Sequence, residues 1–255
     1  MRSFYDISYS AIGHPLQKLD IHLPDKGDSF PVFVYFHGGG FERGDKGLEK
    51  FTPFYEYMTA HGIAVATANY RMYPDAKYPD FIEDGAEAVA WIKANFDRYA
   101  KAERLFVSGS SAGGHLTMIL CFDKRWLAAH GISPLDIDGF LHDAGQPTCH
   151  FRMLAERGID PKRILVDDRA PLYYVGLDEE YPVMKFIVSD NDKKNRYEET
   201  LLMISALENF GHTEPKVSLE VMHGKHCAYV RSVDENGDSI FGKICLDFIE
   251  KNRKS

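Results

Sequence analysis

Residues 104–116 read RLFVSGSSAGGHL, and this stretch decides the fold. An apolar, β-rich run (Leu105, Phe106, Val107) enters Gly109-Ser110-Ser111-Ala112-Gly113, and the apolar AGGHLTMILCF follows at once. The five residues fit G-x-S-x-G, in which small neighbours let the backbone bend sharply between a strand and a helix and expose the hydroxyl of the central serine. Three fixed positions alone describe an ordinary Gly/Ser turn. A strand-forming run before and a helix-forming run after are what the motif requires, and both are present, so the spacing predicts a buried strand, a tight turn with Ser111 at its apex, and a buried helix.

Outward from this turn, strand and helix patterns alternate. LQKLDIHLP and PVFVYFHG are short β-rich runs separated by Pro24-Asp25-Lys26-Gly27-Asp28, a turn-type cluster, and are expected to pair with each other. A helix is expected around residues 50–61, stopped by Gly62, then a strand in IAVATANYR. Residues 80–99 place Ile82, Ala86, Val89, Ala90 and Ile92 on one face at helical spacing. Further strands are expected at IDGFLHD, VMKFIVSD and KVSLEVMH, with helices at 196–210 and 239–251. Strands separated by helices imply an α/β fold with a mainly parallel sheet covered on both faces, whose sites lie at the carboxyl ends of the strands.

A chain of 255 residues with no low-complexity tract is expected to form one domain, residues 1–255. The 38 acidic residues outnumber the 30 basic ones, giving a net charge of −8, and no basic block exists beyond the short tail EKNRKS, so neither nucleic acid nor membrane is an expected partner. Cys121, Cys149, Cys227 and Cys245 are scattered, without CxxC or metal-ligand spacing. They are expected to be free thiols in a reducing cytoplasm, and the first residues, MRSFYDISYS, have no charged segment followed by an apolar one. No metal or organic cofactor is called for. The sequence leaves the oligomeric state open.

A serine hydroxyl is a weak nucleophile until a base takes its proton, and the base needs a third group to hold its tautomer. Two later strand ends supply both residue types: Asp190-Asn191-Asp192 after VMKFIVS, and His223-Gly224-Lys225-His226 after KVSLEVM. Of these, Asp192 and His226 are preferred as catalytic partners of Ser111 because they lie farther beyond the strand ends; Asp190, whose side chain is expected to point the same way as that of Asp192, remains the alternative acid, or else an Asx-type turn residue. The run His37-Gly38-Gly39-Gly40 follows another apolar strand. Acyl transfer through serine builds charge on a carbonyl oxygen, and bare glycine amides reach it unobstructed. The N–H groups of Gly39, Gly40 and Ala112 are therefore the expected oxyanion-hole donors; the alternative, a Gly-rich phosphate loop, is disfavoured because no GK[ST] follows and GxGxxG is not satisfied.

Taken together, FHGGGF, ANYRMYPDAKYPDFIEDGAEAVAWIK and SGSSAGGHL resemble the HGGG-type serine esterases of the α/β-hydrolase superfamily, the hormone-sensitive-lipase-like carboxylesterases among them. LDIHLPD ahead of PVFVYFHGGGFERGDK is similar to bacterial esterases of the acetyl-xylan and feruloyl esterase type. The resemblance covers residues 17–120 closely and the acid and histidine loops loosely. It implies an α/β-hydrolase fold and a carboxylesterase that acts through an acyl-enzyme, without cofactor, on a small-molecule ester with a short acyl group, such as an acetyl or feruloyl ester of a sugar. Two departures stand out. Only 36 residues precede His37, too few for the long cap of the lipase-like members, so any lid or insertion falls to residues 145–181; and Ser189 stands where family members often carry a glycine before the acid.

Two other readings remain in view, an amide-cleaving hydrolase of the peptidase or arylformamidase type and a non-catalytic binding protein on the same scaffold. Among the remaining polar residues, His14, His22, His61, His130 and His212 are expected to be solvated, His115 to pack or hydrogen-bond, His142 and Asp143 to be either site-lining or plain loop residues, and Arg71 and Asp84 to form a structural pair.

Overall fold

The computed structural model describes residues 1–253; the last two residues of the basic tail, 254 and 255, lie outside the described residues. Eight strands form a single sheet: β1 (Arg2–Ser8), β2 (Lys18–Leu23), β3 (Ser29–Phe36), β4 (Ala64–Ala68), β5 (Lys101–Ser110), β6 (Gly139–Asp143), β7 (Met184–Asn191) and β8 (Val217–Lys225), in the spatial order β1-β2-β4-β3-β5-β6-β7-β8. The pairs β1–β2 and β2–β4 are antiparallel and every other pair is parallel. The helices are α1 (Thr52–Ala60), α2 (Asp80–Asn95), α3 (Ala112–Phe122), α4 (Arg125–Ala128), α5 (Phe151–Glu156), α6 (Arg196–Asn209) and α7 (Ile240–Arg253).

The period-two alternation of the central strands divides the core into two layers. Val32, Val34 and Phe36 of β3 join Leu105 and Val107 of β5 on one face, under residues of α2, α3 and α6. Phe33 and Tyr35 with Phe106 face the other way, under α1 and α7. Because both faces are covered, these strands are continuous apolar runs. Helix α3, whose eleven residues are all buried, packs against β5 and β6 and fixes the turn that precedes it.

Several expectations are corrected. β2 and β3 do not pair; β4 lies between them, because the β3–α1–β4 crossover sets β4 parallel beside β3 and the Pro24–Asp28 cluster carries the chain across it. A turn cluster reports a reversal of direction and leaves the partner open. The expected strand in IAVATANYR ends at Ala68, and α2 ends at Asn95 with a 3-10 turn, Phe96–Arg98, after it. His22, expected at the surface, is buried: its ring stacks on Tyr55, its Nδ1 lies 2.9 Å from Ser3 Oγ, and burial brings its pKa down to about 4. Arg71 and Asp84 do pair, at 2.7 Å, and Gln17 donates to the same carboxylate. His115 is buried with its Nδ1 2.6 Å from the Gln146 carbonyl oxygen. Among the described residues no helix is long and apolar enough to cross a membrane.

Candidate active site

The site is assembled from four strand ends. β5 stops at Ser110, and Ser111 takes φ 56° and ψ −109°, a conformation rare for a residue with a side chain. Two bonds hold it there: its N–H donates to the Asp143 carbonyl oxygen at 2.7 Å, and its own carbonyl accepts from His115 N–H at 2.9 Å. Gly113 explains the small residue after the turn, since a Cβ there would lie 2.2 Å from the Phe36 carbonyl oxygen. α3 can thus begin directly against the end of β3.

The structure brings Ser111, His226 and Asp192 together. His226 Nε2 lies 2.8 Å from Ser111 Oγ, and His226 Nδ1 lies 2.5 Å from Asp192 Oδ1. A carboxylate can only accept, so the Nδ1–H tautomer donates to Asp192 and leaves Nε2 free to accept the serine proton. The Asp192 side chain is buried, and Lys193 N–H (2.7 Å) and Ser189 N–H (3.3 Å) donate to it. Burial alone would push its pKa up, but the hydrogen bond and charge of His226, with the Lys193 amide and Arg196, hold the carboxyl below the ordinary range. Burial lowers the His226 pKa by more than Asp192 raises it, so the ring is neutral at neutral pH.

Asp190 and His223 form a separate pair at 2.7 Å, and the Gly224 N–H also donates to Asp190 at 2.9 Å. Both side chains are exposed, and the pair ties the end of β7 to the turn of β8 in place of the expected Asx turn. The expectation that Asp190 and Asp192 point the same way is also corrected: the β7–β8 register shifts between Ser189 and Asn191, so the pleat that would relate them is broken.

Above the serine, the His37–Gly40 loop turns away from β3. Gly39 has φ 132° and approaches the Arg43 carbonyl so closely that a Cβ would lie 1.6 Å from its oxygen. His37 supports the loop from below: its ring stacks on Tyr70, whose hydroxyl donates to the His37 carbonyl oxygen at 2.7 Å. Among the described residues, the N–H groups of Gly39, Gly40 and Ala112 donate to no protein acceptor, the condition for donors kept ready for a ligand.

Beneath the turn lies a buried network absent from the sequence reading. Tyr35 Oη donates to Ser110 Oγ at 2.9 Å, and Tyr229 Oη donates to Asp143. Burial pushes the Asp143 carboxyl up to about 7. His142 and Asp143 are both buried and neither lines the cavity. A polar pair closing an apolar strand was the available signal for this network; its partners, thirty to ninety residues distant in the chain, were not legible.

The cavity over Ser111 and His226 has a volume of about 600 Å³. Leu48, Phe51 and Val230 supply apolar wall, and Phe151, with Arg152, brings in residues of the 145–181 stretch. Among the described residues no group of three or more His, Cys, Asp or Glu side chains is placed to hold a metal ion.

This strand order, with a serine at the turn between β5 and α3 and acid and histidine beyond β7 and β8, is the α/β-hydrolase fold. Comparison with known proteins agrees: residues 19–130 match the family model described as BD-FAE. Esterase LipI of Mycobacterium tuberculosis is 37% identical over 104 residues, 40% of this chain and 32% of that protein. The chain spans about a third of the length of the curated relatives it matches. Esterase B from Lactobacillus rhamnosis superposes with a TM-score of 0.81 at 18% identity, covering 99% of this chain and 86% of that one. A truncated carbohydrate esterase from gut microbiota superposes with a TM-score of 0.74 at 18% identity, over 100% of this chain and 97% of that one.

Proposed function

We propose that the protein is a serine carboxylesterase, and the observation that carries this reading is His226 bridging Ser111 Oγ and Asp192 through its two ring nitrogens. His226 takes the Ser111 proton as Oγ attacks the ester carbonyl, and Asp192 stabilises the imidazolium. The N–H groups of Gly39, Gly40 and Ala112 receive the negative charge of the tetrahedral intermediate. His226 then protonates the departing alcohol, and water, activated by the same ring, releases the acid from the acyl-enzyme.

The substrate in this reading is a small-molecule ester with a short acyl group, an acetyl or feruloyl ester of a sugar among the candidates. The modest cavity and the likeness to a carbohydrate esterase support it. The four cysteines, all unpaired and buried, fit a reducing cytoplasm. The test is hydrolysis of 4-nitrophenyl esters of increasing chain length together with labelling by a fluorophosphonate, in the wild type and in Ser111→Ala. Turnover and labelling that survive in Ser111→Ala sink the proposal. An anilide with the same acyl group separates ester from amide cleavage.

A further inference from the structure

The cavity over Ser111 gathers cations that the chemistry of ester cleavage leaves unused. Arg43, Lys50, Arg152, Lys193 and Arg231 line it against two carboxylates, Glu42 and Asp45. Both carboxylates are engaged already: Glu42 pairs with Arg152, and Asp45 accepts from Asn69 Nδ2 and from the Gly47 N–H, each at 2.7 Å. Among the described residues, Arg43, Lys50, Lys193 and Arg231 ion-pair with no carboxylate.

These four cations come from separate parts of the chain, the loop after β3, the turn Glu49–Phe51, the loop after β7 and the turn Ala228–Arg231 after β8. The topology sets them around one opening, in a protein whose net charge is −8. They share one field. Partial desolvation and then the charges of Arg231 and Arg43 lower the Lys50 pKa; desolvation and then Arg196 lower that of Lys193, with Cys227 and Asp192 opposing and Arg43 adding to the effect. Lys50 Nζ lies 5.3 Å from the centroid of the Phe51 ring and Lys193 Nζ 5.7 Å from that of Phe151, so each ammonium sits at the edge of an apolar wall. Uncompensated like charges around a cleft repel one another, and they draw in and retain an anion.

We propose that the ester cleaved at this site carries a carboxylate in its alcohol or its acyl half, held by Arg43, Lys50, Lys193 and Arg231. The inference rests on the esterase reading above and adds the charge class of the substrate to it. The reaction is unchanged: the carboxylate stays intact, the scissile ester lies over Ser111, and the cations select and orient the molecule.

Two matched pairs test it, 4-acetoxybenzoate against 4-acetoxybenzamide for the alcohol half and monoethyl adipate against ethyl adipamate for the acyl half, each kcat/KM divided by the rate of hydroxide hydrolysis. In at least one pair the anion is expected to be favoured about tenfold at low salt, the size of a few partly exposed charge contacts acting together. That preference should shrink severalfold as NaCl screens it, and shrink likewise in Lys50→Gln/Arg231→Gln, whose substituted side chains are exposed. Ratios near one in both pairs, with Ser111-dependent turnover, overturn the inference and leave the esterase reading standing. A preference that neither salt nor the double variant reduces overturns the assignment to these cations. If none of the four esters turns over while 4-nitrophenyl acetate does, the inference alone is overturned; if that ester too gives no Ser111-dependent turnover, the esterase reading falls and takes this inference with it.

Discussion

The Ser111 N–H donates to the Asp143 carbonyl oxygen at 2.7 Å, which ties the residue at the turn to the end of the neighbouring strand β6. The Asp143 carboxylate in turn accepts from Tyr229, three residues past His226. One buried aspartate therefore anchors both the loop that carries the serine and the loop that carries the histidine, and the strained backbone of Ser111 is stabilised from beneath.

Tyr229→Phe removes a donor from that buried carboxyl while keeping the ring. A buried polar group left short of a partner costs about 1–3 kcal/mol, so urea denaturation should show a loss of that size. Because the histidine loop loses its anchor, kcat should fall as well. An unchanged denaturation midpoint would mean that Asp143 finds another partner and is not the shared anchor.

Ser111→Ala should lower kcat by roughly 10⁴-fold or more, as removal of an activated nucleophile does, with circular dichroism unaltered. Ser110→Ala deletes the group that accepts from Tyr35 and leaves the triad geometry in place. It is expected to cost stability, about 1 kcal/mol for one net hydrogen bond, and to retain most activity. If Ser110→Ala is the inactive variant, the register of the turn is wrong.

Asp192→Asn should lower kcat roughly 10⁴-fold, because an amide no longer enforces the Nδ1–H tautomer of His226. Asp190→Asn and His223→Ala break only the exposed pair that staples the ends of β7 and β8, and each should keep substantial activity. Steady-state kinetics on a neutral ester decides. A larger loss in folded Asp190→Asn than in Asp192→Asn would exchange the two roles.

The residues of the turn were legible because the motif is local: the glycines around Ser111, the apolar strand before it and the buried helix after it occupy one continuous stretch. His226 and Asp192 were legible by reach, since both lie past strand ends. Alternation could not separate Asp190 from Asp192, because it places both side chains on one face, and the slip of register between Ser189 and Asn191 that parts them is set by pairing with β8. β2 was misplaced beside β3 for the same kind of reason: sequence proximity favoured a hairpin, and the crossover through α1 inserted β4. The Asp143 network and the cations of the cavity needed the fold, since their members approach only when distant loops meet.

The pH profile should report His226. The ring must be neutral to accept the Ser111 proton, so kcat/KM falls as pH drops through its pKa and is retained above it. An exposed imidazole titrates near ~6.5. Burial lowers the His226 value and the Asp192 contribution only partly restores it, so the acidic limb of kcat/KM should have its midpoint below pH 6.5 and activity should persist into mildly acidic solution. Asp192→Asn removes the contribution that raises the pKa and leaves burial unopposed; on a much reduced rate, the midpoint should move lower still. His223→Gln, which breaks only the exposed pair with Asp190, should leave the midpoint where it is. Measured between pH 4 and 9 on a neutral ester, a wild-type midpoint above about 7, or one that rises in Asp192→Asn, would show that the titrating base is a group other than His226.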